Sequence, residues 1–110
     1  MRAAKRGQKF IFYIKKMYIM GVFKVVLKKS VRKAVKKLPS SQFERFALLV
    51  RDLKQQGPVQ PEWPNYSKLK GSNTHHCHLS HKWVACWVET EQGIEIEVIY
   101  AGSRESAPYA

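Results

Sequence analysis

The chain has 110 residues, 45% of them hydrophobic, with three Trp and five Phe: enough apolar material for one modest core and none for a second domain. Its 20 Lys and Arg against 8 Asp and Glu leave a formal charge of +12, which favours a polyanionic partner such as RNA, DNA, an anionic membrane surface or an acidic protein. The two cysteines, Cys77 and Cys86, lie inside strand-like runs without metal-type spacing, so buried thiols in a reducing cytosol are expected rather than a disulfide.

In chain order, residues 1–19 fit the remainder poorly. Their apolar runs are broken by Lys15 and Lys16, too short for a membrane span of about 20 residues, and no small-residue cleavage site follows. They read as a basic extension outside the fold, with an amphipathic membrane-touching arm as the competing reading; the domain itself is expected to occupy 20–110. Residues 22–27 supply a first strand through Val25, Val26 and Leu27. Ser30 is placed to cap a short helix in which Val31, Ala34, Val35 and Leu38 form one stripe, with Arg32, Lys33, Lys36 and Lys37 outward, ended by Pro39. Ser41 and Glu44 form a capping-box pattern for a second helix with the stripe Phe43, Phe46, Ala47, Val50 and Leu53, closed by Gly57 and Pro58. Thirteen of the 20 basic residues lie at or before Lys37 and no acid precedes Glu44, so positive charge gathers in the first third.

Pro58, Pro61 and Pro64 make the next stretch an extended connector. It leads to Lys68 and Lys70, which flank Leu69 ahead of a turn at Gly71. Three strand-like runs follow. In the first, a two-residue period puts His76, His78, Ser80 and Lys82 on one face, and Cys77, Leu79, His81 and Trp83 on the other, with His75. Residues 84–89 are apolar on both faces, as in a central strand covered twice. Ile94, Ile96, Val98 and Tyr100 then alternate with Glu95 and Glu97, after a hairpin turn at Gly93. The expected architecture is α+β, two helices packed on one small antiparallel sheet in the order β-α-α-β-β-β.

This order of elements, the SKLKG turn, the HCHLSHKWVACW strands and the closing IEVIYAGSRESAPY resemble the RelE superfamily of toxin–antitoxin toxins over about residues 20–109. The resemblance implies a toxin that cleaves translated mRNA on the ribosome without metal or other cofactor, inhibits translation and is held in check by a partner antitoxin. It also implies site residues. Two strand lysines of that family correspond to His76 and His78, an arginine opening the next strand to Lys82, and a later arginine and a terminal tyrosine to Arg104 and Tyr109.

Cleavage of RNA by its own 2′-hydroxyl needs a base for that proton, cations for the phosphorane charge and an acid for the 5′-oxygen. Imidazoles at His76 and His78 suit either proton role, and which does which stays open. Lys82 and Arg104 would hold the phosphate, and Tyr109 would stack on a base or orient the 2′-hydroxyl. Lys33, Lys36, Lys68 and Lys70 would bind RNA or ribosome through phosphates, each against the alternative of an ordinary solvated lysine. His75 and His81, on the opposite face, read as packing or surface residues. The His-x-His pair could supply two zinc ligands, but a third of suitable spacing is missing. Trp83 and Trp87 read as core. The alternative function on the same fold is non-nucleolytic: a ParE-like gyrase inhibitor or an inactive antitoxin-binding relative.

Overall fold

The computed structural model describes residues 23–90 and 94–109. The expected extension over 1–19, the domain start at 20 and the turn at Gly93 lie outside the described residues. Strand β1 (Lys24–Leu27) runs directly into helix α1 (Lys29–Val35), and a second helix, α2 (Ser40–Gln56), follows. A two-residue strand β2 (Ser67–Lys68), strands β3 (Thr74–Ser80), β4 (Trp83–Glu89) and β5 (Glu95–Ser103), and a 3-10 turn (Arg104–Ser106) complete the order.

Neither helix starts where its hydroxyl residues suggest. Helix α1 begins after Lys28, not Ser30, and no side chain caps it. The Lys28 amide donates to the Val98 carbonyl at 3.0 Å, so strand pairing fixes the chain up to that residue and leaves Ser30 inside the first turn. Helix α2 begins after Pro39, again with no side-chain cap; the Pro39 carbonyl accepts from the Gln42 and Phe43 amides. The capping box at Ser41 is therefore not formed. The apolar stripe is also rotated. Phe46, Leu49 and Leu53 are buried, whereas Phe43 is 48% exposed and Ala47 faces solvent. Both stripes obey the 3.6-residue period, and only the fit against the sheet chooses between them.

Among the described residues the sheet has five strands, in the order β1-β5-β4-β3-β2. It is mixed rather than antiparallel, because β1 pairs in parallel with β5. Parallel neighbours need a long crossover, and here the helices and the meander supply it. Central β4 has Val84, Ala85, Cys86 and Trp87 fully buried, the doubly covered strand its composition predicts. One face carries the core, in which Val31, Val35, Phe46, Leu49 and Leu53 pack on Cys77, Leu79, Ala85, Trp87, Ile96 and Val98. Alternation sends His76, His78, Val84 and Cys86 to the other face. Cys77 and Cys86 thus point apart; both are free and buried. The pairing of Cys86 with Tyr100 and of Trp87 with Val98 leaves Ile99 as an extra residue, a bulge that moves Tyr100 from the face of Val98, where strict alternation put it, to the second face.

The connector is ordered by side chains that its composition does not advertise. Buried Gln60 donates to the carbonyls of Asp52 at 3.1 Å and Gly57 at 2.8 Å. The Trp63 indole donates to the Asp52 carboxylate at 2.9 Å, and the Trp87 indole to the Pro58 carbonyl at 2.8 Å. These bonds fix the path of residues 58–66 and so deliver β2 to the edge of β3.

Candidate functional site

Strand β3 presents its histidines in three different environments. His75, only 1% exposed, lies on the helix-covered face. Its ring is stacked parallel on Trp87 at 5.9 Å and on Tyr66 at 5.9 Å. The two ring nitrogens meet the Tyr66 hydroxyl at 2.7 Å and the Glu89 carboxylate at 2.9 Å. Every polar atom of this side chain is engaged, so it locks β2, β3 and β4 together and has nothing left for a ligand.

His76 and His78 occupy the opposite face. The His76 ring, 9% exposed, has Nδ1 at 3.1 Å from the Ser67 hydroxyl, and its ring centroid is 6.0 Å from that of His78. Tyr109 closes over it at 4.6 Å with the rings tilted by 53°. Burial lowers the pKa of His76, only partly offset by a hydrogen bond to the Ser67 backbone. His78 is lowered too, by burial first and then by the positive charges of His76, Arg104 and His81. Both imidazoles are held toward the neutral form. The Tyr109 hydroxyl is buried without a hydrogen-bond partner among the described residues, and burial raises its pKa, with Arg104 opposing. Beneath it the thiol of Cys86 is pushed by burial up to about 12, so it stays a protonated, inert packing group.

Arg104 arrives from the 3-10 turn after β5. Its amide donates to the Lys82 carbonyl at 2.7 Å, which extends the β4–β5 pairing and sets the guanidinium beside His78. Lys82 does not continue the histidine face. Strand β3 stops at Ser80 after a register shift between His78 and Ser80, the chain turns at 81–82, and Lys82 is exposed. It lines a shallow recess with Trp83, Ser103, Arg104 and Glu105. The same turn moves His81 out of its expected place. Alternation put it with the core-facing residues, yet it lines a cavity together with His78 and Arg104.

The structure therefore brings His76, His78, Arg104 and Tyr109 together, sets Lys82 at the margin, and adds His81. Arg45, missed in the sequence because it sits on a helix some 30 residues away in the chain, also reaches this place: its Nε donates to the Leu79 carbonyl and its guanidinium lies 5.3 Å above the Trp63 ring. Lys68 lies on β2 next to His75 and His76, and exposed Lys70 follows it. Lys33 and Lys36 are exposed on α1, whose buried residues join the core on the other face of the sheet, so they are not part of this cluster. Among the described residues no three His, Cys, Asp or Glu side chains converge as metal ligands, and no helix is long and apolar enough to cross a membrane.

Among solved structures, the chain is similar to the RelE–RelB complex of Pyrococcus horikoshii OT3, at 22% identity and a TM-score of 0.66 over 78% of this chain and 99% of that one. It is similar to the isolated E. coli RelE toxin at 16% identity and 0.63, over 79% and 89%. A YoeB/ParE toxin from Agrobacterium tumefaciens aligns at 16% identity and 0.63, over 74% and 99%. No protein-family model and no curated protein sequence matches the chain. What is shared at these identities is the fold: the chain has the α+β architecture of the RelE-like toxins.

Proposed function

We propose that this protein is the toxin of a type II toxin–antitoxin system, a cytoplasmic endoribonuclease that cuts translated mRNA on the ribosome by metal-independent acid–base chemistry and is restrained by a cognate antitoxin. The observation that carries the reading is the cluster of His76, His78, Arg104 and Tyr109 on one sheet face. Two imidazoles 6.0 Å apart can flank one phosphodiester, one taking the 2′-hydroxyl proton and the other protonating the departing 5′-oxygen. Arg104 offers a planar fork to the non-bridging oxygens, and Lys82 adds a cation at the margin. Burial, and after it the neighbouring positive charges, holds His78 toward neutrality; a phosphate's negative charge arriving beside Arg104 and His78 opposes both effects and favours the protonated form that an acid needs. Lys33, Lys36, Lys68 and Lys70 supply non-specific attraction to RNA or ribosome. The resemblance in fold to the RelE of a RelE–RelB complex supports an antitoxin as partner.

Induced expression followed by mapping of mRNA 5′ ends, with and without translation, tests this. New ends confined to translated messages are expected, together with growth arrest relieved by the antitoxin. Efficient cutting of naked RNA at physiological salt would remove the ribosome from the proposal. The similarity to a YoeB/ParE toxin keeps a second reading in view, a gyrase-directed toxin on the same fold. Double-strand DNA breaks with intact messages would select it.

A further inference from the structure

At the far end of β3 no strand among the described residues closes the sheet edge. Strand β2 pairs only with His75 and His76, and the edge beyond is covered by two other devices. The Pro64 carbonyl accepts the His78 amide at 2.8 Å, and Arg45 donates to the Leu79 carbonyl. Between them lies an open cavity of about 520 Å³, lined by Arg45, Pro64, Asn65, His78, His81 and Arg104 among others. That is the size of a small-ligand site.

From this geometry we infer that the cavity is a nucleotide subsite, in which Asn65 reads the base edge of an RNA residue next to the scissile phosphate and Arg45 holds that residue's phosphate. The inference rests on the ribonuclease reading and adds to it where the substrate lies and what selects it.

Asn65 has a positive φ of 55° in a turn closed by the Tyr66 amide on the Trp63 carbonyl at 3.1 Å. Pro followed by a positive-φ residue is the order of a type II turn, whose third position favours Gly. Asn tolerates that backbone and, unlike Gly, brings a carboxamide. Asn65 is exposed and has no hydrogen-bond partner among the described residues, so its carboxamide is open to a ligand, and it lines the cavity together with His78. A carboxamide offers one donor and one acceptor side by side, which matches the N6 and N7 atoms of adenine.

Arg45 is built for a fixed grip. Its Nε is committed to Leu79 and its Cζ is held over the Trp63 ring, 5.3 Å from the centroid, so its two terminal amino groups are presented at a reduced rotamer cost. Arg104 lines the same cavity, so with Arg104 on the scissile phosphate, Arg45 is left to take the phosphate of the neighbouring residue.

Asn65→Gly is the informative variant, since it keeps the turn and removes only the reader. In 5′-end maps from translating extracts, the wild type should favour sites with adenine at one fixed position next to the cut. Asn65→Gly should erase that preference by about tenfold. With the full-length protein and 5′-AMP as probe, side-chain amide signals of Asn65 and the Arg45 Nε–H should shift in NMR spectra, more than with 5′-UMP, and Arg45→Ala should weaken the binding. An unchanged cleavage profile in Asn65→Gly, or equal AMP shifts in the variant, would overturn the subsite while leaving the nuclease reading intact. AMP binding at Asn65 in a wild type that cuts no message would do the reverse.

Discussion

The catalytic proposal places different demands on neighbouring side chains, and each can be tested separately. Arg104→Ala should lose toxicity most completely, with Arg104→Lys recovering only part, because a single ammonium cannot replace a bidentate contact to a pentacoordinate phosphate. His76→Ala and His78→Ala should each lower single-turnover cleavage about 10²- to 10⁴-fold, the range for a lost proton-transfer group. Tyr109 separates stability from activity. Its hydroxyl is buried and has no partner among the described residues, so Tyr109→Phe should leave the unfolding free energy unchanged or raise it by up to about 1 kcal/mol; a fall in cleavage in that variant would assign the hydroxyl to the reaction, and a fall only in Tyr109→Ala would assign the ring. The lowered pKa values of His76 and His78 also have a sign. Above the ordinary histidine value both states are neutral and neither residue contributes. As pH falls through 6.5, the ordinary value, the unfolded chain takes up protons first, so the native state loses stability down to the folded-state values. Denaturant midpoints measured from pH 7.5 to 5 should fall more steeply in the wild type than in the His76→Asn, His78→Asn double variant.

Among the elements, β2 is too short to hold itself. Its two residues are carried by His75, bonded to Tyr66 and Glu89, and by the contact of Ser67 with His76. His75→Ala should therefore cost about 2–4 kcal/mol, combining a cavity with loss of the partner of the half-buried Tyr66 hydroxyl. It should also lower cleavage only through folding, so that activity per folded molecule, measured after correcting for the unfolded fraction, stays closer to wild type than in His76→Ala. The end of α2 is similarly exacting. Gly57 has φ of 95°, and an added Cβ would come within 2.9 Å of the Phe23 ring; Gly57→Ala should cost about 1–2 kcal/mol or more in urea unfolding.

At the scale of the described molecule, the sheet separates the basic helix α1 from the candidate site. The cluster of histidines and Arg104 lies on one face, while α1, with Lys33 and Lys36, packs on the other. Reversing both lysines to Glu should weaken ribosome or RNA association and flatten its salt dependence without changing the fold or the pH profile of cleavage. Association unchanged across a salt series would return them to ordinary solvated residues.

Periodicity and composition by themselves determined the elements of this protein: two helices, a central strand apolar on both sides in residues 84–89, and two imidazoles on one face at His76 and His78. These follow from local rules, because the period of a strand or helix is set by backbone geometry within a few residues. Arg104 and Tyr109 entered through their likeness to a known pattern. Tertiary structure alone decided the rest. Parallel pairing of β1 with β5 joins residues some 70 apart, and no local signal encodes it. The choice of Leu49 over Phe43 and Ala47 depended on which of two equally periodic stripes met the sheet. Alternation failed at Lys82 and His81 because the strand ended at Ser80 and a turn replaced the expected next pair of positions. Arg45 and Asn65 carry no motif at all; a helix and a turn fixed by Trp63, Asp52 and Gln60 bring them to the edge of β3, and that convergence exists only once the core has packed.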